Sequence, residues 1–290
     1  MGGKLKANEN LPRGVQRVIH WQMNRVLADL SGSRRSRRGE SIHAARKGIK
    51  RVRATLRLLQ GTLGPSDWRK LDHLLRNAGR ALGEWRDAEV VIRTLDKVAT
   101  RKSGLADDAG LKRLKRKLRR RYKKIVSRIG HDSKKSRAQL KEARDLVLAA
   151  PLASVGLEVL RRGLAGSQDL GRQDFEIAQG TRSADDFHEW RKRAKDMWYQ
   201  LRVMEAIDSA VREDSIRELY RLSKLLGADH DLAMLQAAAN GAKRDCTAIL
   251  PIIAERRRGL QTEALVLGRK LYEQVPNRRP RFKSAFYSGA

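Results

Sequence analysis

Apolar residues recur at three- and four-residue intervals along most of the chain. Val15, Val18, Ile19, Val26, Leu27 and Leu30 would share one face of a first helix, and Trp68, Leu71, Leu74, Leu75, Ala78 and Leu82 one face of another. That is the 3.6-residue period of amphipathic helices. The strict alternation of a half-buried strand is missing, so the pattern predicts an all-α fold. Pro12, Pro65, Pro151 and Pro251 stand where helices would begin or end, and Pro276 and Pro280 fall in a basic tail over 276–290. Residues 31–39, Gly163–Thr181 and that tail read as loops or chain ends, on their glycine, serine and arginine content.

The strongest signal is an internal repeat. IHAARKGIKRVRATLRLL at 42–59 aligns with FHEWRKRAKDMWYQLRVM at 187–204. All six seam positions keep their apolar character: Ile42, Ala45, Ile49, Val52, Leu56 and Leu59 match Phe187, Trp190, Ala194, Met197, Leu201 and Met204. Polar identities go with them, in the pairs His43/His188, Arg46/Arg191, Lys47/Lys192, Lys50/Lys195 and Arg57/Arg202. Further on, LGEWRD at 82–87 matches LGADHD at 226–231. The chain therefore divides into halves at about 11–150 and 151–275, each a helical bundle with parts in the same order, expected to pack about a pseudo-twofold axis. Each half would carry a His-x-x-Arg-Lys helix, then a helix ending at Leu-Gly with Gly83 or Gly227 in the left-handed C′ position. A shorter helix would open at Asp87 or Asp231 as a cap or first-turn carboxylate, and a long charged helix would follow near 108–129 and 243–272.

Charge sharpens the picture. Lys and Arg number 64 against 33 Asp and Glu, a formal net charge of +31. The first 150 residues hold 40 of those cations against 14 acids; the other 140 hold 24 against 19. A concentrated excess of this size points to a polyanionic partner, met mainly by the first half. Cys246 is the one cysteine, which excludes an intramolecular disulfide framework and a cysteine-based zinc site. No stretch is apolar enough to span a membrane, and the first ten residues lack the apolar core of a secretory signal. The expectation is a soluble, cytoplasmic protein.

At about 100° per residue, His43, Arg46, Lys47, Lys50, Arg53 and Arg57 fall in a sector roughly 120° wide beside the apolar seam. The cations would thus flank a packed interface, as groove-lining residues do. Arg69, His73, Arg76 and Arg80 form a second stripe within about 60° on the next helix; its second-half counterparts are Glu213, Arg217, Tyr220 and Lys224. Like charges stacked on one face repel, by a few tenths of a kcal/mol per pair. An anion with closely spaced charges would replace that repulsion with charge-assisted hydrogen bonds. The run KRLKRKLRRRYKK at 112–124 holds ten cations on a helix with its own apolar seam. It can serve either the specific site or general polyanion affinity, whereas RRSRR at 34–38 reads as a flexible electrostatic lure. The six histidines form no metal-binding spacing, and neither a metal nor a cofactor is expected.

The duplicated His-x-x-Arg-Lys-x-x-Lys helix followed by Leu-Gly-x-x-Arg-Asp resembles the conserved histidine α-helical domain, or CHAD, family over about residues 11–275. The resemblance implies two pseudo-twofold-related four-helix bundles around a basic central channel. It also implies non-catalytic binding of long-chain inorganic polyphosphate and association with polyphosphate granules and the proteins found there. The motif carries over to His43, Arg46, Lys50, Arg53, Arg76, Arg80 and Arg86 in the first half, and to His188, Arg191, Lys192, Lys195 and Lys224 in the second. The repeat and stripe add Lys47, Arg57 and Arg202. The chain departs from the family pattern at Trp198, where an arginine usually precedes the tyrosine, at His230 opposite Arg86, and at Arg202, where an acid is common. Those departures predict weaker phosphate contacts in the second half. Other polyanions remain open as partners. A nucleic-acid-binding role is the main rival, although aromatics at 5% leave little for base stacking. An enzyme is disfavoured, because paired carboxylates for Mg²⁺ and a P-loop are missing.

Overall fold

The computed structural model describes residues 2–31, 38–100, 107–242, 246 and 248–273. Most of the 34–38 lure and the whole 276–290 tail lie outside them. Nine helices form among the described residues and no strand does: α1 (Leu11–Ser31), α2 (Arg38–Arg57), α3 (Pro65–Ala81), α4 (Gly83–Ala99), α5 (Ala109–Ala149), α6 (Leu157–Thr181), α7 (Ala184–Met204), α8 (Glu213–Asn240) and α9 (Leu250–Glu273). The predicted all-α class is what forms. Local chemistry sets several starts. Pro65 occupies the first position of α3, where its missing N–H has no helical partner to lose. Asp108 accepts from the Leu111 N–H at 2.7 Å to cap α5. Ser183 accepts from the Asp186 N–H at 3.1 Å to cap α7.

Four expectations are corrected. Residues 163–181 are the body of α6 and not a loop. The charged helix α5 runs 41 residues, well past 129. Gly83 is the first residue of α4, and Gly227 lies inside α8; neither has a left-handed backbone. The break before Gly83 is only a kink at Leu82 (φ −90°, ψ −4°), and α8 runs straight through the matching point. Asp87 and Asp231 consequently sit within helices and cap nothing.

Each half closes a ring of packed helices: α1–α2–α3–α5 in the first, α6–α7–α8–α9 in the second. The halves then meet through equivalent elements, α2 against α7 and α4 against α8. Three apolar clusters hold this together. One centres on Ile49, Val52, Leu75 and Leu140 in the first half, another on Trp190, Phe187, Phe175 and Tyr272 in the second. The third belongs to both, with Leu95 and Val98 of α4 and Leu111 of α5 against Leu232 and Leu235 of α8 and Ile253 of α9. Because the seams of α2 and α7 are both buried, the polar sectors beside them are forced toward the α2–α7 junction.

Candidate anion-binding site

The two copies of the motif helix bring their cations together. Lys50 of α2 is partly buried, and its strongest like-charge neighbours are Arg191 of α7, Arg46 one turn back, and Lys195 of α7. Burial first, then those charges, push its pKa down to about 7. Burial pushes Lys195 to about 8, helped by Arg191, Lys47 and Lys224. Arg191 is lowered mainly by burial and is balanced by Asp231 and Asp87. Arg46, Lys47, Lys50, Arg191, Lys195 and Lys224 thus form one field drawn from α2, α7 and α8.

Matched features on the facing helices position the motif arginines. Arg46 donates through Nη1 to the Gly83 carbonyl at 3.1 Å and to Asp87 Oδ1 at 3.2 Å. A Cβ on Gly83 would touch its guanidinium at 3.7 Å, and one on Gly227 would touch Arg191 Nε at 3.6 Å. The Gly-x-x-x-Asp spacing of 83/87 and 227/231 places glycine and carboxylate one above the other on a helix face. That explains why both residues recur. The sequence pattern had suggested punctuation, a cap and a stop, because those are the commoner uses of the same residue types. Asp231 is itself raised by burial and offset by Arg191, Arg86 and Arg93.

The histidines stand at the margin and are neutral at pH 7. Burial and the neighbouring Arg191 and Lys192 push His188 down to about 4. His188 stacks on His230, with ring centroids 4.0 Å apart, and burial with His188 and Arg191 pushes His230 to about 3. His43 is exposed and also lowered, by desolvation, Arg86 and Lys47. The repeat pointed to His43 and His188, whereas His230, noted only as a departure at the Arg86 position, turns out to be the stacking partner. His188 Nδ1 and Arg191 Nε are buried without a hydrogen-bond partner among the described residues. A buried guanidinium N–H without an acceptor is costly, and an anion between the motif helices would relieve it.

The other predicted residues divide into those with carboxylate partners and those outside the field. Arg53 is held by Asp72 of α3 at 2.9 Å, and Arg76 pairs with the same carboxylate. Arg57 reaches Asp196 of α7 at 2.6 Å, an ion pair between the halves; burial raises the Asp196 pKa, and Arg57 opposes that rise. Arg86 pairs with Glu89. Lys192 is exposed and pairs with Glu189. Arg202 lies over the Trp198 ring at 5.6 Å and Lys224 over Tyr220 at 5.2 Å, on a ladder in which those rings also meet. Arg80 is exposed on α3. None of the α5 cations is among the principal charges acting on Lys50, Arg191 or Lys195. Sequence reasoning missed Asp87, Asp231, Asp196 and Arg93 as members of the site's electrostatics. Among the described residues no group of His, Cys, Asp or Glu could hold a metal ion.

The CHAD domain family model matches residues 17–240. Two solved structures share the fold at 17% identity. The crystal structure of the CHAD domain from the plant Ricinus communis aligns over 95% of this chain and 96% of that one, with a TM-score of 0.64. PptA from Streptomyces chartreusis aligns over 92% and 99%, with a TM-score of 0.58. No curated protein matches the sequence. Nine helices and a duplicated His-x-x-Arg-Lys motif thus coincide with a match over more than three-quarters of the chain, and the protein belongs to the CHAD domain family.

Proposed function

We propose that the protein binds long-chain inorganic polyphosphate, without turning it over, at the junction of α2 and α7. One observation carries the reading: the Arg191 Nε is buried without a hydrogen-bond partner among the described residues, and the charge that acts most on Arg191's neighbour Lys50, from the other half, is this same guanidinium. Asp87, Asp231 and Asp196 offset part of that repulsion. A chain of phosphoryl groups restores the balance. Arg46 and Arg191 present planar guanidinium groups for paired hydrogen bonds, and Lys50 and Lys195 act as point charges between them. Neutral His188 and His230 contribute hydrogen bonds and no charge of their own until an anion raises their pKa. The membership in the CHAD family agrees with this ligand, and so does the scarcity of aromatics, since polyphosphate has no bases to stack.

Nothing in the cluster has the arrangement of a catalyst. Of the carboxylates near it, Asp87 and Asp196 are paired with Arg46 and Arg57, and Asp231 lies in the field of Arg191, Arg86 and Arg93. No helix of the described residues is long and apolar enough to cross a membrane, and the protein fits a cytoplasmic place on polyphosphate granules.

The test is a titration of Arg46→Ala/Lys50→Ala, and separately Arg191→Ala/Lys195→Ala, with long-chain polyphosphate at several salt concentrations. Each pair should lose at least about tenfold in affinity and show a shallower salt slope, as expected when phosphate contacts are removed. Helical circular dichroism should persist. Wild-type affinity in both variants would overturn the site, and orthophosphate release by the pure protein would overturn the non-catalytic reading.

A further inference from the structure

The helix α5 carries its own cationic face, separate from the α2–α7 junction. Residues 109–131 contain eleven Lys or Arg and no Asp or Glu. Leu111, Leu114, Ile125 and Ile129 are buried, and Leu118 and Tyr122 are partly so. Lys112, Arg113, Arg116, Lys117, Arg119, Arg120, Lys123 and Lys124 are all exposed. At ~100° per residue these eight fall within an arc of about 160° opposite the buried seam, and the exposed Arg121 widens it to about 200°. Three ion pairs of this stretch lie at its flanks and its start: Lys115 with Asp96, Arg128 with Glu84, Lys112 with Asp107. Arg116, Lys117, Arg119, Arg120, Lys123 and Lys124 have no carboxylate partner among the described residues.

A rigid helix with cations on both shoulders is a convex ridge, unlike the packed junction of α2 and α7. A single flexible phosphate string would touch such a ridge along one line and leave the other shoulder unpaired. Two phosphate rows with a trough between them would meet both. The trough of B-form DNA is about 12 Å wide, which matches the ~10–12 Å diameter of a helix with its side chains. The deep, narrow major groove of A-form RNA would not admit it. The stretch from Lys112 to Arg128 is about 24 Å long, or roughly 7 base pairs. No exposed aromatic accompanies these cations, and Tyr122 packs against Trp85 at 6.1 Å between ring centroids, so the face is not built to stack unpaired bases. We propose that the exposed face of α5 over residues 112–124 is a second site, docking duplex DNA through its phosphates without reading sequence.

The decisive comparison uses the full chain, a mixed-sequence duplex of about 20 base pairs and long-chain polyphosphate as separate probes. Arg116→Gln/Arg120→Gln/Lys123→Gln/Lys124→Gln removes four charges from the middle of the ridge and touches no buried residue. It should weaken duplex binding at least about tenfold, reduce the salt slope by about 3–4, and leave polyphosphate affinity within about twofold. Lys50→Met/Lys195→Met should do the reverse. Undiminished duplex binding by the quadruple variant overturns the proposal. So does a parallel loss of both ligands, which would make α5 part of the polyphosphate path. Should the quadruple variant fail to fold, amine acylation of the wild-type protein decides: bound duplex must protect Lys117, Lys123 and Lys124, and equal labelling with and without DNA refutes the site.

Discussion

Lys50 is where binding and folding pull in opposite directions. Its ammonium is desolvated and surrounded by Arg191, Arg46 and Lys195, so its pKa in the folded chain is about 7, against roughly 10.4 for an unfolded lysine. Between those values the unfolded chain holds more protons, so stability rises as pH climbs from about 7 toward 10. Below about 7 both states are charged and the folded state bears the whole penalty. Lys50→Met keeps the stem and deletes the charge. It should raise Tm at pH 6 by a few degrees, corresponding to about 1–2 kcal/mol, while polyphosphate affinity falls at least about tenfold; a lower Tm would mean the ammonium is not penalised as the structure implies. Binding must also move protons. An anion placed against Lys50 and Lys195 raises both pKa values, so complex formation near pH 8 should take up about one proton. Calorimetry in buffers of different ionisation enthalpy reads that number, and no uptake at pH 8 would contradict the depressed lysines.

At the scale of elements, glycine decides how far the sequence could be read. Gly163, Gly166, Gly171 and Gly180 dilute the helical pattern of 163–181 enough to suggest a loop, yet the segment is helical throughout. Two of the four are close-approach sites. A Cβ on Gly163 would stand 2.3 Å from the Leu58 carbonyl oxygen and 2.6 Å from its Cα, and one on Gly171 would meet the Tyr272 hydroxyl at 2.9 Å. Gly166 and Gly180 face open space. Gly163→Ala should therefore destabilise by about 2–4 kcal/mol in urea unfolding, because backbone cannot yield as a side chain can. Gly166→Ala should stabilise by about 0.5–1 kcal/mol through the unfolded chain. Equal effects at the two positions would show that α6 does not press on the end of α2 as described. The same ambiguity hid the supports of the site. A motif helix with a fixed phase made Arg46, Lys50, Arg191 and Lys195 legible in both copies. Gly83, Asp87, Gly227 and Asp231 were legible as repeats and misread in role, since a partner such as Arg46, 37 and 41 residues away from Gly83 and Asp87 on another helix, leaves no local signature. The bulky second-half seam, with Trp190 and Phe187 fully buried, was read correctly, because burial follows periodicity alone.

Over the whole molecule, duplication explains both the charge field and the way the chain coheres. Two copies of one cationic helix can face each other only if the walls around them are held from behind, and the third apolar cluster does this by joining α4 and α5 to α8 and α9. The Leu5 N–H donates to the Val203 carbonyl at 3.0 Å, tying the start of the first half to the end of α7. The Arg57–Asp196 pair and the Gln200 amide, which donates to the Ala54 carbonyl at 3.1 Å, add polar links across α2 and α7. Severing the halves would expose Leu95, Val98, Leu232 and Leu235 and part Asp196 from Arg57. The intact protein should therefore unfold in one calorimetric peak, with van't Hoff and calorimetric enthalpies equal and near 0.7 kcal/mol per ordered residue. Fragments 1–150 and 151–290 should each be largely unfolded alone and regain helical signal and polyphosphate binding when mixed. If fragment 1–150 instead melted cooperatively near the Tm of the whole chain, the shared cluster would be a contact between finished domains. The cations of α2 would then be exposed in a stable half, and the depressed pKa of Lys50 would vanish with its neighbours from α7.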